Sequence, residues 1–260
     1  VKDSTFPADR LLPPRAATLS ESLDAGFVLF RRSLVGCLPL SLLAVLLGQL
    51  PSVYLLSTHQ SLSLADSKDL NWWALMLLSA VGTLWCWLAI MLRQRAVLTP
   101  STLAADCRLA LVRLPTALGV LVFGVCAVAL GVLLLVIPGV YLMVAFWPAL
   151  ALVAFESASP REALDGALQL ARGSWRALAA NLLVVIMTLL GLFVMGALVG
   201  LFFVEILRPS APGADAWVMG LVTGLLSALF QPLFIAFGLA AYADLRNRRV
   251  QMPSSASSSD

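Results

Sequence analysis

The sequence predicts an all-α, polytopic membrane protein of about six transmembrane helices, arranged as three repeated units of an interfacial helix plus two spans. Three observations carry this expectation: long stretches without charge, a proline-glycine interruption in the longest of them, and a one-sided distribution of arginine. Of the 260 residues, 60% are hydrophobic and 12% are charged, against about 25% charge in an ordinary soluble domain. Charge is absent over 33–65, 70–92, 114–155, 177–204 and 216–243. At 1.5 Å rise per residue, about 20 apolar residues match a hydrocarbon core about 30 Å thick.

Taken in order, the first stretch supplies a span from Leu34 to Leu56 and the second a span from Trp72 to Leu92. The third is twice the length of one span and is interrupted at Ile137-Pro138-Gly139. Proline removes an amide donor and glycine permits a reversal. Two helices joined by a tight turn are therefore expected, Thr116 to Val136 and Val140 to Phe155, with a re-entrant hairpin as the alternative because the second is short and contains Pro148. Spans from Leu178 to Val204 and from Trp217 to Tyr242 complete the set. Trp72, Trp73 and Trp217 begin spans, where aromatic rings favour the headgroup region or pack between helices.

Arginine and lysine fix the expected threading. Fifteen of them fall in one set of alternating segments (Lys2, Arg10, Arg15, Arg31, Arg32, Arg93, Arg95, Arg108, Arg113, Arg161, Arg172, Arg176, Arg246, Arg248 and Arg249), and only Lys68 and Arg208 in the other. Short loops rich in basic residues stay cytoplasmic, so both termini are expected on the cytoplasmic side of a bacterial inner membrane. No short apolar core followed by a small-residue cleavage site is evident in the first 32 residues. Residues 1–17 are expected to form a flexible arm, 18–250 a single membrane domain, and the serine-rich 251–260 a disordered tail.

Three segments ahead of odd-numbered spans look alike. With Asp24, Asp106 and Asp165 aligned, Leu29, Leu111 and Leu170 coincide, and so do Arg31, Arg113 and Arg172. Thr18 with Glu21 and Ser159 with Glu162 have capping-box spacing, and Pro160 suits a first helical position. Leu23, Phe27, Phe30 and Leu34, like Leu164, Leu168, Ala171 and Trp175, fall on one helical face. Each segment is expected to lie in the interface with that face down. The middle unit is weaker, shortened by Pro115 and without a capping pair. The aspartates suit first turns and the arginines suit lipid phosphate; a docking or headgroup site where the three helices converge is the functional alternative.

Ile137-Pro138-Gly139, then Ala154-Phe155-Glu156, Ser159-Pro160-Arg161-Glu162-Ala163-Leu164 and Ala171-Arg172-Gly173-Ser174-Trp175-Arg176 form a pattern that resembles the YciC-like bacterial membrane proteins. It is similar too to the membrane domain fused to some glycerophosphodiester phosphodiesterases. The resemblance implies a multi-spanning cytoplasmic-membrane protein and carries over no catalytic residue.

Little in the chain points to catalysis. The single histidine, His59, lies beside Gln60 in the first outer loop without a metal-binding partner, and no phosphate loop, zinc-protease helix or nucleophile elbow appears. The cysteines Cys37, Cys86, Cys107 and Cys126 lack zinc-ligand spacing. No enzyme activity, metal or cofactor is expected, and nucleic acid is not an expected partner. Membrane lipids, with anionic headgroups at the arginine-bearing face, and an unidentified membrane protein are the expected partners.

Polar residues within spans leave two functions open. Gln49, Asn181 and Gln231 suit interhelical hydrogen bonds in an envelope accessory or scaffold, or they line a path for a neutral or lipid-like substrate. A cavity at these residues would favour the second function, and solid packing the first. Gly196 with Gly200, and Gly220 with Gly224, are expected to bring the last two spans into close contact, with Gly200 and either Gly220 or Gly224 at the crossing.

Overall fold

A computed structural model describes residues 11–12, 17–57, 70–156, 158–172, 174–207 and 214–251. His59, Gln60, Lys68, Arg208 and all of the tail except the helical residue 251 lie outside them. Among the described residues there is no strand. Eight helices follow in order: α1 Leu19–Ser57, α2 Leu70–Arg95, α3 Leu103–Leu134, α4 Val136–Phe146, α5 Ala149–Glu156, α6 Pro160–Ala171, α7 Trp175–Leu207 and α8 Ala214–Gln251. Six segments are long and apolar enough to cross a bilayer, α4 and α5 together providing one of them. The chain is a multi-pass membrane protein.

The repeated units are built unequally. Only the third has a separate amphipathic helix, α6, and its capping box forms as expected: Glu162 N–H donates to Ser159 Oγ and Ser159 N–H to Glu162 Oε2, with Pro160 in the first turn. Thr18 and Glu21 make the same reciprocal pair. There, however, the helix runs without a break into the first span. The middle segment is likewise continuous with its span, because Pro115 sits inside α3 without ending it, and Thr102 accepts from Ala105 N–H as an N-cap. Proline inside a membrane helix is tolerated when neighbouring structure satisfies the freed backbone groups.

The faces that pack inward are lined by small residues. On α1 the buried positions are Ser22, Gly26, Leu29, Ser33, Cys37, Leu40, Ser41, Ala44 and Pro51, whereas Phe27 is 54% exposed. On α6 the fully buried residues are Ala163, Ala167 and Ala171, while Leu164 and Leu168 are half-buried. In water a face of large apolar residues would turn inward. In hydrocarbon that drive is absent, and small residues permit close helix approach. A Cβ on Gly26 would lie 2.5 Å from the Phe237 ring, which shows how closely α1 and α8 meet. Helix α1 packs most extensively on α2 and α8.

The reversal between α3 and α4 comes earlier than expected. Leu135 alone leaves helical geometry, at φ −162° and ψ 134°, and Pro138 with Gly139 lies in the first turn of α4, where a missing amide costs no helical hydrogen bond. Gly139 lets the two antiparallel helices touch backbone to backbone: a Cβ on Gly131 would sit 2.9 Å from Gly139 Cα. A second break at Trp147 and Pro148 separates α4 from α5. Tyr141 near the tip of this hairpin stacks on Trp175 at the start of α7, with centroids 5.9 Å apart and planes 15° apart.

Candidate functional site

Two regions of the bundle gather polar groups. At the arginine-bearing end several of the groups bond to one another, although Gln94 Oε1, Asp106 Oδ2 and Trp175 Nε1 are buried without a hydrogen-bond partner. Asp244, 2% exposed, accepts from Ala17 N–H at 2.8 Å and from Arg248 Nε at 2.8 Å, while Arg248 Nη2 donates to Ala17 O at 2.6 Å. This knot ties the start of the described chain to the end of α8. Leu12 and Ala17 are also buried. Beside it, Tyr242 Oη donates to Glu156 Oε1 at 2.7 Å, and Arg246 lies 3.7 Å from the same oxygen. Buried Gln94 donates from Nε2 to Pro232 O at 2.6 Å, joining α2 to α8.

The residues aligned as repeats do not share an environment. Asp106 is buried, accepts from Ser101 Oγ at 2.7 Å and lies 3.6 Å from Arg93. Asp24 and Asp165 are exposed, the latter in an i,i+4 pair with Arg161 at 3.9 Å that is open to solvent on both sides. Arg113 donates to Val153 O and Ala154 O near the end of α5, whereas Arg31 and Arg172 are exposed. Only the middle pair is built into the packing. The six residues therefore do not share a bonding pattern, and Asp244, Glu156, Tyr242 and Gln94, which sequence reasoning missed, hold this end together. The signal was present: Cys86, Ile90 and Gln94 recur at spacings of four on the buried face of α2, and Ala236, Ala240 and Asp244 do so on α8.

The second region is a cavity of about 600 Å³ between α1, α2, α7 and α8. Its wall includes Gln49, Trp87, Leu192, Phe193, Gly196, Thr223, Ser227, Phe230 and Gln231. Two of the three intramembrane polar candidates thus meet there, and Asn181 is instead buried outside it. Among the described residues, no acidic or basic side chain lines the cavity. Thr223 Oγ1 donates within its own helix to Met219 O, but Gln231 Oε1 and Trp87 Nε1 are buried with no hydrogen-bond partner. Both residues belong to the wall of one largely apolar chamber, with these two atoms buried behind its surface. Its volume lies inside the range of about 300–1,000 Å³ usual for small-molecule sites.

No known family, curated protein or solved structure matches the chain. The site must be read from its own geometry.

The glycines shape one side of that chamber. Cβ atoms on Gly196 and Gly200 would meet Leu226 at 3.3 Å and Met219 Sδ at 2.5 Å, so both sit at the α7–α8 contact. Gly224 faces Val45 of α1 at 3.2 Å, and nothing lies within 4 Å of Gly220. The expected glycine-to-glycine crossing is thus corrected: the glycines of α7 receive larger side chains of α8, Met219 and Leu226, beside the cavity.

Proposed function

We propose that the protein binds a neutral, lipid-like molecule in the Gln49–Gln231 cavity and moves it between the bilayer and the protein, as a permease or lipid-handling carrier. The observation that carries this reading is the cavity's uncharged, largely apolar lining, into which two amide residues, Gln49 and Gln231, are built. A ligand hydroxyl can hydrogen-bond to an amide side chain in such a lining, and the absence of charge there suits a ligand without net charge. The rival function, an envelope scaffold, calls for solid packing at the polar residues, and only Asn181 meets it.

The arginine distribution supports a bacterial cytoplasmic membrane with both termini inside, the resemblance to the YciC-like proteins agrees with it, and the lack of a recognisable catalytic constellation supports a non-enzymatic role. The test is photolabelling of the purified full chain with a diazirine-bearing diacylglycerol, neutral and carrying one hydroxyl. Labelling should map to the cavity helices and fall about tenfold in Gln231→Leu, the equivalent of one lost hydrogen bond of about 1.4 kcal/mol. Equal labelling of wild type and variant would sink the proposal.

A further inference from the structure

A second chamber, of about 840 Å³, lies at the arginine-bearing end, where the α3–α4 hairpin tip leans against the start of α7. One wall is apolar, formed by Val136, Ile137 and Val140, with Ile137 81% exposed. The facing wall carries Ser174, Trp175 and Arg176, and Arg248 closes the end. Charge in the cleft is unbalanced. Arg248 is offset by its ion pair to Asp244, whereas Arg176 is exposed and makes no hydrogen bond or ion pair among the described residues. Trp175 adds an indole N–H buried without a partner. Leu133, Leu134 and Leu135 continue the apolar wall outward, all heavily exposed.

We infer that this cleft seats one anionic phospholipid, with its phosphate at Arg176 and its acyl chains along the hairpin. Charge complementarity names the occupant. A guanidinium recognises phosphate by charge-assisted hydrogen bonds, and the apolar wall beside it suits chains that a free phosphate lacks. The site uses none of the residues of the Gln49–Gln231 cavity, so it stands or falls separately from the carrier proposal.

Purified full-length protein in mild detergent is titrated with phosphatidylglycerol, phosphatidylcholine and glycerol phosphate, and the lipid-bound fraction is read by native mass spectrometry. Phosphatidylglycerol should bind tightest, and Arg176→Gln should weaken it about tenfold, the loss of one charge-assisted bond. Arg172→Gln, equally exposed but outside the cleft, should change it less than about twofold, as expected for a surface charge screened by solvent. Equal losses in the two variants would mean nonspecific attraction to the basic face and overturn the site. Displacement of the lipid by an equal concentration of glycerol phosphate would overturn it also, identifying a free phosphate as the ligand.

Discussion

Removing the carboxylate of Asp244 should unfasten the end of the bundle where the two termini of the described chain meet. Asp244 is 2% exposed and accepts two hydrogen bonds at 2.8 Å, one from Ala17 N–H and one from Arg248 Nε. Hydrogen bonds to a charged group contribute about 1.5–3 kcal/mol each. The Arg248 side chain is 26% exposed, so water moderates its share and the lower end applies. Asp244→Ala should therefore cost about 3 kcal/mol, with the Ala17 amide losing protection from hydrogen exchange. Asp244→Asn keeps an acceptor for Ala17 and should lose about half as much. Equilibrium unfolding in mixed micelles measures these differences, and a double-mutant cycle with Arg248→Met isolates the pair, with a coupling of about 1–2 kcal/mol expected. If Asp244→Ala unfolds within about 0.5 kcal/mol of wild type, as a neutral surface change would, the knot does not hold the bundle.

Gly26→Val should destabilise by about 1–3 kcal/mol through overpacking, since its Cβ would meet the Phe237 ring at 2.5 Å and Phe237 Cα at 3.3 Å. Gly48→Ala, with nothing within 4 Å, should be neutral or stabilising by up to about 1 kcal/mol from helix propensity, so equal effects at both positions would refute the packing described for α1. In a background free of native cysteine, Ile137→Cys at the hairpin tip should react with a membrane-impermeant maleimide from the same side as Arg172→Cys. Labelling from the opposite side would mean that α3 and α4 both cross completely.

Helix positions and apolar lengths were legible because both follow from counts along one chain: charge-free runs, proline positions and capping spacings. The capping boxes at Thr18 and Ser159 needed only three residues of separation, and both form. What a single sequence did not supply was which residues line the inward face. Leu23, Phe27, Phe30 and Leu34 make the conspicuous stripe, expected to lie toward lipid, and the quieter set of Ser22, Gly26, Ser33 and Cys37 is the one buried. The polar knots escaped for a related reason. Glu156 and Arg246 are distant in sequence, and nothing local to either marks the other as its partner. The cavity was legible in its polar members, Gln49 and Gln231, but its existence depends on side-chain sizes across the α7–α8 crossing, where Met219 and Leu226 meet glycines.

Packing along the bundle is uneven, and that unevenness links fold to proposed function. In α2 the buried residues run from Leu84 to Gln94, with Ser79 isolated before them, and in α8 burial is nearly continuous from Leu239 to Leu245. Toward the other end large apolar side chains turn outward instead: Leu77 and Leu78 on α2, Leu198 and Leu201 on α7, and Leu221 and Leu225 on α8. Alanine and serine line the contacts of the arginine-bearing half, where ion pairs and Gln94 join the helices. The large apolar side chains toward the opposite half are ones that lipid can replace at little cost. The 600 Å³ cavity lies between α1, α2, α7 and α8. A carrier for a lipid-like molecule needs a cavity bordered by such replaceable packing, because the ligand must enter from the bilayer.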